Sequence, residues 1–146
     1  MARSGSATMC SRALHFQEYT VKTRPTWDEY FLSIAEVVAT RAACTRAQVG
    51  AVVVKDNRII GTGYNGALPG EIECTEGGCP RGKMSKEEVK PGSDYGNCIS
   101  LHAEVNALAY SITNTEGATI YTTREPCDWC AKVIAANGIA RVVVSP

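Results

Sequence analysis

The chain has 146 residues, with 15 basic and 15 acidic side chains and no formal net charge, enough for one packed domain. That balance argues against the basic footprint needed to hold a long nucleic acid, and no apolar run approaches the length of a membrane span. Seven cysteines, an odd number that includes a C-x-x-C pair, point to metal ligands in a reducing, cytoplasmic compartment and away from a disulfide framework.

Residues 1–24 are small and polar, lack an apolar signal core, and read as a flexible tail before a single domain over 25–146. Thr26 then precedes Trp27-Asp28-Glu29-Tyr30, which places acidic residues in a first helical turn. Trp27, Tyr30, Phe31, Ile34, Val37 and Val38 recur at helical spacing, so a core-packing helix is expected to about Arg41. The β-branched run 49–54 reads as a buried strand, Lys55-Asp56-Asn57 as a tight turn, and 58–64 as the returning strand. Residues 65–98 form a long irregular segment, and loops of that length in a compact domain are functional or tied down. A helix over 102–111, a strand over 118–123, a helix over 127–137 closed by Gly138 and a strand over 139–144 complete the chain. This order predicts an α/β layered sheet covered by helices.

Two stretches carry the chemistry, His102-Ala103-Glu104 and Pro126-Cys127-Asp128-Trp129-Cys130. Three residues apart at a helix start, Cys127 and Cys130 share one face. With His102 they make two thiolates and one imidazole, a donor set for Zn2+ that leaves the fourth tetrahedral position open to water, as catalytic sites do. Glu104, two residues past the histidine, is the proton acceptor such a site needs. Each motif alone has a plainer reading: half a structural zinc knuckle or a redox pair for C-x-x-C, an ordinary core residue for the histidine. Both zinc-ligand segments are expected at helix N-termini, whose positive ends favour thiolate and hydroxide.

H-x-E followed by P-C-x-x-C is the pattern of zinc-dependent nucleobase deaminases. From Trp27 to Val144 the chain resembles the deoxycytidylate deaminases of the cytidine deaminase superfamily, through WDEYF at 27–31, QVGAVVVKDNRIIGTGYNG at 48–66, HAEVNAL at 102–108 and EPCDWCAKVI at 125–134. The resemblance implies a three-layer α/β/α sandwich with a mixed sheet, here shortened at the C-terminus. It implies conversion of deoxycytidylate (dCMP) to deoxyuridylate (dUMP), with zinc-bound hydroxide attacking C4 and Glu104 shuttling the proton. It also implies a homo-oligomer, a hexamer in many relatives, regulated by deoxycytidine and thymidine triphosphates (dCTP and dTTP). His102, Cys127 and Cys130 match the zinc ligands and Glu104 the proton shuttle, while Asn65 matches the asparagine that contacts the nucleotide sugar. Asn65-Gly66 also has a simpler reading as a strand-ending turn. Ala103, Arg46 and Arg124 are further substrate-binding candidates, with Arg41 also a candidate for the phosphate. Arg124 stands where relatives often carry histidine or an apolar residue.

Four of the remaining cysteines invite a second, structural Zn2+. Cys74 and Cys79 are spaced for one, Cys98 precedes the catalytic helix, and Cys44 lies between the first helix and the first strand. The resemblance supports all four, and the alternative is that they are buried small apolar side chains. For the catalytic site the alternatives are another cytosine nucleoside or nucleotide, a guanine-like base, an adenosine in tRNA, or a zinc-bearing module without turnover.

Overall fold

The computed structural model describes residues 23–89 and 95–146, so most of the expected tail, with Cys10, lies outside the described residues. The first helix, α1 (Trp27–Ala39), starts at a capping box in which the Thr26 hydroxyl accepts from Glu29 N–H and the Glu29 carboxylate accepts from Thr26 N–H. The strands β1 (Gly50–Lys55) and β2 (Arg58–Tyr64) form an antiparallel hairpin. Its two-residue turn puts Asp56 and Asn57 at φ 51° and 57°, left-handed values that Asp and Asn tolerate well among non-glycine residues. The helix α2 (Ala103–Ala109), the strand β3 (Thr119–Thr122), the helix α3 (Asp128–Ala136) and the strand β4 (Arg141–Val144) follow in the expected order. Gly138, at φ 70°, closes α3 as the sequence predicts.

The sheet order is β2-β1-β3-β4, antiparallel except for the parallel β3–β4 pair, so the sheet is mixed. Alternation along β1 splits the core. Ala51 and Val53 join Ala103, Ala107, Leu108, Ile120 and Ile134 under α2 and α3. Val52 and Val54 join Phe31, Ala35 and Tyr121 under α1. Helices cover both faces, which is the three-layer α/β/α sandwich. No helix among the described residues is long and apolar enough to cross a membrane.

The buried face of α1 is partly the one periodicity predicts. Phe31 is buried with Ile34 and Val38 packed beside it, but Trp27, Tyr30 and Val37 are 47%, 46% and 68% exposed, and Ala35 and Ala39 are buried in addition. Gly50 is the reason: a Cβ there would fall 2.2 Å from Ala35 O, so helix and strand meet backbone to backbone and small residues take the contact. The same device seats α2 on β2. A Cβ at Gly63 would stand 2.2 Å from Ala107 N and 2.3 Å from Ala103 O, and the helix presents alanines there. This close contact sets the position of the helix that begins beside His102.

Candidate metal centre and active site

His102 is the N-cap of α2 and Cys127 the N-cap of α3, where the Cys127 sulfur accepts from Cys130 N–H. Both segments therefore sit at helix N-termini, as the sequence predicts. Because α2 and α3 pack on one face of the sheet, the three side chains converge although 25 residues separate His102 from Cys127. His102 Nδ1 lies 3.2 Å from Cys130 Sγ and 3.5 Å from Cys127 Sγ, and the three ligand atoms are all within 4.8 Å of one another.

These spacings fit zinc. Tetrahedral bonds of ~2.3 Å to sulfur and ~2.0 Å to nitrogen put nitrogen and sulfur about 3.5 Å apart. Two soft thiolates and one imidazole are a zinc donor set, and the trio leaves a coordination position free for a reacting molecule. Cys130 is fully buried. Burial first, then the Glu104 charge and Cys127, drive its thiol pKa far up, so the thiolate at this position calls for a cation to hold it. Glu104 is itself buried at 4% exposure and close enough for its charge to act on the Cys130 thiol, which places its carboxylate at the centre without making it one of the ligand trio.

The centre opens into a cavity of about 630 Å³. His102, Ala103, Glu104 and Cys127 line it on the sheet side, and Asn65, Arg46 and Arg124 reach it from their own segments. Asn65 is buried and braced: its Oδ1 accepts from Val49 N–H at 2.8 Å and its Nδ2 donates to Ala47 O at 2.8 Å. One N–H and one acceptor lone pair of that amide remain. Ala103 begins α2, where the first-turn amides have no intrahelical partner.

Arg46 is engaged with the backbone as well as lining the cavity. Its guanidinium donates to the carbonyl oxygens of Arg81 at 3.0 Å, Met84 at 2.5 Å and Ser85 at 3.4 Å through Nε and Nη2, so it straps the long segment down and keeps only the Nη1 donors for a substrate. Arg124 is exposed, lines the cavity and makes no ion pair among the described residues. Arg41 is exposed and is not among the cavity-lining residues.

Cys44, Cys74, Cys79 and Cys98 line the same cavity. Burial alone would raise the Cys79 thiol, but hydrogen bonds from the Ile99 and Gly82 backbone and from Cys74 and Cys98 outweigh it and lower its pKa. Cys74 and Cys98 thus lie beside Cys79, without any three of these sulfurs coming within 4.8 Å of one another as in the catalytic trio. Sequence reasoning passed over Tyr95, Arg81 and Lys86, which also line the cavity and lie in an irregular segment where no periodicity marks them.

Residues 25–146 match the family model of the cytidine and deoxycytidylate deaminase zinc-binding region. The chain is 53% identical over 127 residues to the deoxycytidylate deaminase of Mycobacterium phage D29, covering 83% of this chain and 95% of that protein. It is 41% identical over 122 residues to the deoxycytidylate deaminase of Schizosaccharomyces pombe, covering 82% of this chain but only 37% of the yeast protein. Its backbone superposes on the dCMP deaminase of cyanophage S-TIM5, solved in complex with dCMP and dUMP, at a TM-score of 0.65 and 30% identity, over 84% of this chain and 82% of that one. Fold, site chemistry and relatives agree: the chain belongs to the zinc-dependent cytidine and deoxycytidylate deaminase family.

Proposed function

We propose that this protein hydrolyses dCMP to dUMP and ammonia. The observation that carries the reading is the His102–Cys127–Cys130 trio with the Glu104 carboxylate buried against it in the cavity wall. His102, Cys127 and Cys130 would hold the zinc ion, which when bound supplies Lewis acidity and makes water a nucleophile near neutral pH. Glu104 takes the proton from the water that adds at C4 and delivers it to N3 of the ring. A second proton passes by way of Glu104 to the amino group, which leaves as ammonia while C4 keeps the oxygen. Ala103 meets the base through its first-turn backbone, and the spare donor of Asn65 meets the sugar. Arg124, with few competing partners, offers its fork of donors to the 5′-phosphate, whereas Arg46 mainly shapes the wall.

The test compares ammonia release from dCMP, deoxycytidine and guanine. dCMP is expected to have the highest kcat/KM, and Arg124→Ala to narrow the gap to deoxycytidine. Equal kcat/KM for dCMP and deoxycytidine in the wild type refutes the nucleotide assignment.

The same proposal includes a structural zinc held by Cys44, Cys74, Cys79 and Cys98, supported by their lining one cavity with Cys74 and Cys98 beside Cys79. Elemental analysis is expected to find two zinc per chain, falling to one in Cys74→Ser. One zinc in fully active wild type ends that part. A homo-oligomer with dCTP and dTTP as effectors completes the proposal. The exposed Ile112, Trp129 and Val142 suit subunit contacts, and sedimentation with and without the triphosphates tests it. The described cysteines are all free thiols, which fits a cytoplasmic setting.

A further inference from the structure

A histidine that binds a metal through one ring nitrogen ordinarily has its other nitrogen held by a carboxylate, carbonyl or water, which sets the plane of the ring. His102 turns Nδ1 to the two sulfurs, and its Nε2 makes no hydrogen bond to another described residue. What meets this ring is aromatic. Tyr95 stands edge-to-face with it at a centroid distance of 4.5 Å and an interplanar angle of 84°. Tyr95 is in turn held by the Arg81 guanidinium, 4.8 Å from its ring centroid. Arg81 is buried, its N–H donates to Asn97 O, and its carbonyl is the one that Arg46 grips. A continuous stack therefore runs from the segment anchored by Arg46, through Arg81 and Tyr95, to the metal centre.

We propose that Tyr95 is a positioning residue of the metal centre: clamped between the Arg81 guanidinium and the His102 imidazole, it fixes the plane of that ring with Nδ1 toward Cys127 and Cys130. Edge-to-face packing is directional, because the ring edge is positive and the face negative, so a rotated imidazole loses the contact. The cation over the Tyr95 ring holds that ring in turn. Tyr95 touches no reacting atom in this role and acts only through His102. The proposal rests on reading His102 as a metal ligand.

The test uses the full chain loaded with Co2+ in place of zinc, whose visible absorption reports the ligand field, together with competition for zinc against a chelator of known affinity. Tyr95→Leu keeps apolar bulk and removes the ring; Tyr95→Phe keeps the ring and removes the hydroxyl. Tyr95→Leu is expected to weaken zinc binding by about 10–100-fold, the usual effect of losing a ligand's orienting partner, and to shift the Co2+ bands. Tyr95→Phe is expected to match wild type in both. Where deamination is measured, the leucine variant loses kcat with KM little changed. Wild-type zinc affinity and Co2+ bands in Tyr95→Leu overturn the proposal. So does equal loss in Tyr95→Phe, since the hydroxyl rather than the ring would then hold the centre. Both metal readouts are independent of substrate, so a wrong substrate assignment leaves them intact.

Discussion

The two walls of the cavity are built in different ways. On one side, His102, Glu104 and Cys127 stand at the starts of two helices pressed onto the sheet, with Cys130 buried behind them, where Gly63 lets α2 approach to backbone contact. On the other, the described residues of 65–98 have no strand or α-helix, only two 3-10 turns and the bridge between Gly66 and Leu101. That wall is held by isolated ties: Thr75 N–H to Ala43 O, Arg81 N–H to Asn97 O and the Arg46 guanidinium. A wall of packed helices holds reacting groups in register, whereas a wall of separate ties can change its lining with little effect on the chemistry, except where Tyr95 meets His102.

The sharpest way to break the comparison is at the rigid wall. Glu104→Gln should keep its zinc, because the ligand trio is untouched, yet lose about 10²–10⁴-fold in turnover. Elemental analysis beside a rate assay checks both halves, and a zinc-loaded variant at wild-type speed ends the proton-transfer role. Next in size is Gly63→Ala. Its methyl would collide with the α2 backbone, an overpacking that costs about 1–3 kcal/mol. Chemical denaturation measures the loss; an unchanged midpoint would show that α2 can back away from β2.

The tied wall should respond differently. Arg46→Ala removes the grip on the Arg81, Met84 and Ser85 carbonyls, at about 1 kcal/mol for a hydrogen bond of this kind. KM is expected to rise several-fold with kcat nearly intact, and limited proteolysis to cut faster near residues 81–89. A fall in kcat with unchanged KM would show that the two walls are coupled more tightly than their construction implies.

The smallest effect lies away from both walls, where Asp28 ties α1 to the sheet. Its carboxylate accepts from Arg141 and from the Tyr121 hydroxyl at 2.8 Å, and the Arg141 bond, then the Tyr121 bond, hold its pKa below the ordinary 3.8. A depressed carboxyl pKa contributes stability above the unfolded value, and that contribution disappears as pH falls through the folded one. Asp28→Asn should therefore melt slightly lower than wild type at pH 7, the difference shrinking in acid and in high salt. A gap that widens on acidification would contradict the ion pair.

Much of this was legible in the chain because it is written at short range. The capping box at Thr26 and Glu29, the Asp56-Asn57 turn, the buried β1 run and the Gly138 stop each depend on neighbours a few residues apart. The metal trio was legible for the same reason: two cysteines three apart and a carboxylate two past a histidine have few other uses together. Periodicity succeeded only in part on α1: it found Phe31, Ile34 and Val38, but counted Trp27, Tyr30 and Val37 as core and passed over Ala35 and Ala39. A helical pattern registers apolarity, while the Gly50 contact selects for smallness.

By itself, then, the sequence determined the order of elements, the helix starts and the identity of the ligand set, all local properties of spacing and side-chain chemistry. Only the tertiary structure decided that Arg46 is engaged with the backbone while Arg41 stays away from the cavity, because the carbonyls that Arg46 grips lie 35 to 39 residues further along the chain. It alone set Tyr95 against His102, since a contact inside an irregular segment follows no repeat and depends on how the ties fold that segment back over the sheet.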